Sequence, residues 1–207
     1  MYSSIKTLAA VIALPFAAAI PVYQRAAGVA FDSTKPFTLH TEVSQQGNFT
    51  FSERYLTSFH VGAGQSTVVG TFNSSTAIGW TLSDSTLQQP ISVGGTDAAF
   101  AYNLTLLEQA PFLSDAPAGY DYVSLGATGS STTGFYFDGV TLKWGSNGTN
   151  TTTAPASFDG NFALCRVNGT APYFTLGPQY QLLWKTSNAT SNSTNCADVK
   201  LIGDNIA

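Results

Sequence analysis

The chain has 207 residues, a formal net charge of −4 at pH 7 and a charged fraction of only 10%, against 13% aromatic residues. Ordinary soluble domains carry about 25% charged residues, so this surface either finds another source of solubility or tends to self-associate. The eight basic residues are scattered, which excludes a cationic nucleic-acid footprint and a polybasic lipid-binding stretch.

The opening segment reads as a secretory signal. Met1–Thr7 carries one positive side chain, Lys6, and Leu8–Ala19 is an apolar run (LAAVIALPFAAA) ending in three alanines. That run is too short to cross a bilayer and stay, and its small final residues suit signal peptidase. Residues 1–19 are therefore expected to be a signal peptide, and residues 20–207 a single secreted β domain. Loss of Lys6 takes the net charge from −4 to −5. The remaining length can bury a sizeable core. No later stretch is apolar enough to span a membrane, and VKLIGDNIA at the end is unlike a GPI signal.

Past Ala19 the dominant period is two, which predicts strands. In chain order they fall at Pro36–Val43, Tyr55–Gly62, Ser66–Phe72, Ala77–Ser83, Pro90–Gly94 and Phe100–Leu106, then Tyr120–Gly126, Gly134–Phe137, Val140–Trp144, Asn161–Cys165, Pro172–Gly177, Tyr180–Thr186 and Ala197–Gly203. Only Leu106–Ala110 hints at a helical turn. Asp-Gly stands between apolar runs twice, at Asp138-Gly139 and Asp159-Gly160, and Asn168-Gly169 is a third hairpin turn candidate. About a dozen short strands joined by turns predict an all-β, single-domain fold, either an antiparallel β-sandwich or a trefoil-like barrel. No threefold repeat chooses between the two.

Eight Asn-X-Ser/Thr triplets run through these elements, at Asn48, Asn73, Asn103, Asn147, Asn150, Asn168, Asn188 and Asn192. The chain has 11 asparagines and 47 Ser plus Thr residues, so random placement gives about two or three such triplets. An N-glycan is added only in the secretory pathway and only where the asparagine reaches solvent. Parity supports that exposure. Phe100, Tyr102, Leu104 and Leu106 share one strand face, leaving Asn103 and Thr105 on the other. Asn48 groups with Thr50, Ser52 and Arg54, opposite Phe49, Phe51 and Tyr55. Four more acceptors lie in the polar loops Gly145–Ser157 and Ser187–Asn195.

Cys165 and Cys196 are the only two cysteines. An even pair in an oxidising compartment predicts a disulfide, which would close a loop of about thirty residues, a constraint of about 3.5 kcal/mol in the chain-entropy model.

Catalytic signatures are missing. Gly129-Ser130-Ser131-Thr132-Thr133 lacks the second glycine of a nucleophile elbow. Gly62-Ala63-Gly64-Gln65-Ser66-Thr67 lacks the lysine of a phosphate loop and reads as a turn. His40 and His60 fall in strand patterns, and no His/Cys cluster has metal-ligand spacing, so neither metal nor cofactor is expected. Glu42, Glu53 and Glu108 are isolated, and no two carboxylates stand out as a hydrolytic pair. Trp80, Trp144 and Trp184 are candidate sugar-stacking rings, although each sits in an apolar strand pattern that also suits a core.

The stretch NFALCRVNGTAPYFTLGPQYQLLWKTSNATSNSTNCADVKLI, from Asn161 to Ile202, resembles the C-terminal part of fungal cell-wall glycoproteins of the PhiA type. The elements alike are the strand ending in Cys165, an aromatic hairpin, an Asn/Ser/Thr-rich loop, Cys196 and a final Val-Lys-Leu strand; the Phe135–Trp144 hairpin is similar too. This resemblance implies an extracellular or cell-wall glycoprotein and brings no catalytic residues with it. The sequence thus points to a secreted, N-glycosylated, nonenzymatic wall or extracellular structural protein, with cell-wall polysaccharide as its expected partner. A carbohydrate-binding module and a secreted hydrolase are the alternatives.

Overall fold

Alternation in the sequence becomes antiparallel strands throughout the computed structural model, which describes residues 30–43, 51–62, 64–92, 99–107, 119–126, 131–145, 162–167, 179–185 and 195–206. The strands are β1 (Phe37–Val43), β2 (Tyr55–Gly62), β3 (Gln65–Thr71), β4 (Thr81–Ser83), β5 (Thr86–Ser92), β6 (Ala99–Leu107), β7 (Tyr120–Gly126), β8 (Phe135–Asp138), β9 (Thr141–Trp144), β10 (Phe162–Val167), β11 (Gln179–Lys185) and β12 (Cys196–Asn205). The all-β reading holds, and β2 and β7 have the expected bounds. The helical turn expected from Leu106 is absent at its start, because Leu106 and Leu107 finish β6. By contact, the chain divides into Met1–Ala30, of which only Ala30 is described, and Phe31–Ala207.

All twelve strands belong to one sheet. β10 pairs with both β11 and β12, β12 with β1, β1 with β2, β2 with β3, and β3 with β11 at Gln181↔Val69. Those six strands close a ring. Where β3 and β11 splay apart, β7 inserts between them: its Ser124–Gly126 end pairs with β3 and its Tyr120–Tyr122 end with β11. β6, β5 and β4 continue outward from β7, and this arm returns to the ring through a Phe37↔Trp80 bridge. The β8–β9 hairpin joins β12. The arrangement is a single sheet rolled into a barrel with two unequal arms. It is neither two separate sheets nor three equivalent units.

Two tight turns show what the sequence conceals. Asp138 pairs with Thr141, so the central residues of the β8–β9 hairpin are Gly139 and Val140, one position later than the Asp-Gly pair suggests. Gly139 has φ +62°, as a two-residue turn with glycine first requires. In the β4–β5 turn, Asp84 and Ser85 both have positive φ, 48° and 61°, with no glycine to signal it. Asp tolerates this region through local side-chain bonding. The expected turns at Asp159-Gly160 and Asn168-Gly169 lie outside the described residues.

One face of the sheet packs the main core, which includes Phe37, Leu39, Leu56, Val68, Trp80, Leu104, Leu125, Phe162, Leu164, Leu182 and Trp184. Alternate residues of β7, β10, β11 and β12 point the other way and build a second, smaller core from Tyr120, Tyr122, Ala163, Cys165, Leu183 and Cys196. β10 and β11 are thus buried on both faces, which explains why FALC and LLW read as continuous apolar runs. The disulfide lies in this second core: Cys165 and Cys196 are register partners on β10 and β12 and are bonded. Replacing both by alanine removes the covalent loop, of sequence separation 31, and is expected to cost about 2–5 kcal/mol; chemical denaturation with and without reductant measures it.

A third contact fastens the end of β12. Asp32 N donates to Asn205 Oδ1 and Asn205 Nδ2 donates back to Asp32 O, each at 2.8 Å. Beside this clamp Phe31, Phe37 and Phe137 pack edge-on or tilted, with centroids 4.6–5.7 Å apart. Gly203 makes room for them: a Cβ there would stand 2.7 Å from the Phe31 ring and 2.9 Å from Phe137. Gly203→Ala is expected to lower stability by about 1–3 kcal/mol through overpacking. An unchanged urea midpoint would mean that the aromatic cluster moves aside freely.

Candidate functional site

Of the eight predicted glycan acceptors, Asn73 and Asn103 fall within the described residues; Asn48, Asn147, Asn150, Asn168, Asn188 and Asn192 lie outside them. Asn103 sits on β6 with its Oδ1 accepting from Gln88 Nε2 at 3.1 Å across the β5 pair. Its neighbour Leu104 is buried in the main core, and Tyr102 and Leu106 pack against that core, so Asn103 lies on the opposite face, as parity predicts. Asn73 is exposed in the β3–β4 connection and caps a short 3-10 turn at Ser74–Thr76. Its Oδ1 accepts from Ser75 N at 3.0 Å and from Ser75 Oγ at 2.7 Å, while its own N donates to Thr71 Oγ1 at 3.2 Å. The acceptor asparagine and the hydroxyl its triplet requires are therefore held side by side.

Behind this loop lies a cluster that sequence reasoning missed. Arg54, expected on a wet face, is only 4% exposed. The cause is local: Glu53 has φ +58°, which breaks the extended chain between Phe51 and Tyr55 and reverses the expected alternation. Arg54 turns inward, and its guanidinium lies 3.4 Å from the Tyr180 ring centroid and 3.7 Å from that of Phe72. Phe51 packs edge-on against Tyr180 at 5.6 Å. Gly70 leaves the room for the arginine stem, since a Cβ there would touch Arg54 Cβ at 3.1 Å. Burial lowers the Arg54 pKa from the ordinary arginine value, yet arginine stays charged in proteins. Phe72, by contrast, is 62% exposed. Arg54→Lys keeps the charge and loses the planar stack; it is expected to cost about 1–2 kcal/mol, read from the urea midpoint.

The tryptophans divide. Trp80 is fully buried and Trp184 is 2% exposed, so the proposed sugar-stacking role is corrected for both: their apolar strand positions place the rings in the core. Trp144 is half-buried, stands edge-on to Trp184 at 4.8 Å, and donates Nε1 to Thr133 O at 2.8 Å.

Among the described residues four aspartates, Asp32, Asp138, Asp198 and Asp204, face a basic group. His40 Nδ1 lies 2.7 Å from Asp204 Oδ2, off the axis of an aligned hydrogen bond, with Tyr55 beside the imidazole. Lys143 Nζ meets Asp138 at 3.0 Å, and Lys185 Nζ meets Asp198 at 3.0 Å over the fully buried Ala163. The Asp32 carboxyl is held below its ordinary pKa, chiefly by hydrogen bonds from the Thr34 hydroxyl and amide. Among the described residues no group of three or more His, Cys, Asp or Glu is placed to hold a metal ion. Nor is any helix among them long and apolar enough to cross a membrane.

A family model described as a domain of unknown function (DUF7907) matches residues 34–205, a span that contains every strand of the barrel. No curated protein and no solved structure matches the chain.

Proposed function

The chain belongs to the DUF7907 family, and on that premise we propose that it is a secreted, N-glycosylated protein of the fungal cell wall or extracellular space that acts without catalysis. The observation that carries this reading is the excess of glycan acceptors, eight triplets among eleven asparagines. Both described acceptors are compatible with modification, one in an exposed turn and one on the sheet face away from the core. The Cys165–Cys196 disulfide fits an oxidising compartment. A charged fraction of 10% fits a surface solubilised by sugar rather than by ions. The wall assignment rests on the resemblance of Asn161–Ile202 to fungal wall glycoproteins, with wall polysaccharide as the partner.

Culture fractionation tests this directly. A fungal culture producing the chain is separated into medium, detergent-extractable wall and glucan-bound wall, and each fraction is treated with peptide N-glycosidase. The protein is expected in a wall fraction, with a fall in apparent mass on digestion. Recovery from the medium alone would overturn the wall assignment, and an unchanged mass in every fraction would overturn the glycoprotein assignment.

A further inference from the structure

Phe72 and Ile206 are the large apolar side chains most exposed among the described residues, at 62% and 51%. Phe72 is the more unusual, because its ring is held in place. The Arg54 guanidinium lies 3.7 Å from the ring centroid, and Arg54 itself is fixed by Tyr180 on its other side. A ring backed by a buried cation and open to solvent is a preorganised apolar platform. The residue that follows it is Asn73, an exposed acceptor.

We infer that the first sugar of an N-glycan on Asn73 packs against the exposed ring of Phe72. The inference rests on the glycoprotein reading and adds a specific contact to it. The glycan is attached to the residue next in the chain to Phe72, with consecutive Cα atoms about 3.8 Å apart, and both side chains reach solvent. The loop fixes where it begins, through the bonds from Ser75 N and Ser75 Oγ to Asn73 Oδ1 and from Asn73 N to Thr71 Oγ1. A pyranose presents a face of C–H groups, and the face of an aromatic ring carries the partial negative charge that attracts them. Covering the ring removes apolar surface from water and screens the Arg54 sandwich behind it. Phe72 would then be a built part of the glycan attachment site.

The geometry supplies an unusually mild way to silence the site. Proline at the middle position of the triplet blocks glycosylation. Ser74 is the first residue of the 3-10 turn, where proline is tolerated, and Asn73 before it has φ −87° and ψ 104°, the extended conformation proline demands of its predecessor. Ser74→Pro therefore retains Asn73, Ser75 and the cap. The test is a cycle of four full-length proteins secreted from a eukaryotic host: the parent, Phe72→Ala, Ser74→Pro and the double variant. Mass spectrometry of glycopeptides reads occupancy, and thermal unfolding reads Tm.

The expected result is coupling. Phe72→Ala lowers Tm by about 2–4 °C more when Asn73 carries its glycan than when Ser74→Pro has removed it. Loss of the Phe72–Arg54 contact is common to both backgrounds and cancels. Should Phe72→Ala fail to fold, Phe72→Leu keeps an apolar cover without a ring and enters the same cycle. Equal Tm changes in both backgrounds, with Asn73 occupied, overturn the sugar–ring contact and leave the glycoprotein reading standing. An empty Asn73 with other acceptors occupied also overturns the contact alone. Absence of glycan from every acceptor overturns the glycoprotein reading and the contact with it.

Discussion

From Phe162 to Cys165 β10 has a partner strand on each edge and a core on each face, and the barrel closes because these four residues tolerate that environment together. Phe162 and Leu164 fill the main core, while the other face offers the small Ala163 and Cys165, with Val167 packed beside them. The Lys185–Asp198 pair joins the two strands that flank β10, where Asp198 is the register partner of Ala163, and Cys165 is joined to its own register partner on β12. Arg166, one step further, is exposed. An ion pair over a buried alanine carries a desolvation cost, and removing one partner alone leaves an uncompensated charge. The closing strand is therefore constrained from both sides at once: by volume within the ring and by polarity outside it.

Much of this was legible because period-two alternation is a local signal that burial on one face imposes. Asn103 illustrates it: Tyr102, Leu104 and Leu106 mark the inner face, and the acceptor lies on the other. The disulfide was legible from count alone, since Cys165 and Cys196 are the only two cysteines and they are bonded. What local pattern could not supply was closure. FALC and LLW are apolar without alternation, so they announce burial on two faces but not which strands stand beside them. Backbone irregularity was equally hidden. A positive φ at Glu53 reversed the parity expected for Arg54, and Asp84–Ser85 turns the chain without a glycine. The Arg54–Phe72–Tyr180 stack joins residues far apart in sequence, and no spacing rule connects them. Tryptophan identity was ambiguous for a related reason: a ring that suits a sugar also suits a core, and Trp80 and Trp184 went to the core.

Scarcity of charge shapes the rest of the molecule. Lys143, Lys185 and His40 each face a carboxylate, and Arg54 is covered by aromatic rings. Two buried polar side chains are likewise tied to neighbours, Gln181 to Thr67 and Thr41 to the Phe51 carbonyl. Such a surface offers solvent few ions, so neutral polar groups and, on the proposed reading, glycans must supply its hydration. The sheet edges follow the same restraint. β4 has three residues and β8 four, too little unpaired backbone to invite another strand.

Ring closure also has an order in time. All three strands that complete the ring, β10, β11 and β12, lie beyond residue 161, and β12 pairs with β1 from Phe37↔Asn205 onward. A chain threaded into a compartment from its N-terminus presents β1, β2 and β3 long before their final neighbours arrive. Contacts of such long sequence separation form slowly, and open strand edges invite aggregation while they wait. Asn48, Asn73, Asn103, Asn147 and Asn150 all precede β10 in the sequence. On the proposed reading, sugars added on entry would guard the open sheet first, and coat the finished barrel only afterwards.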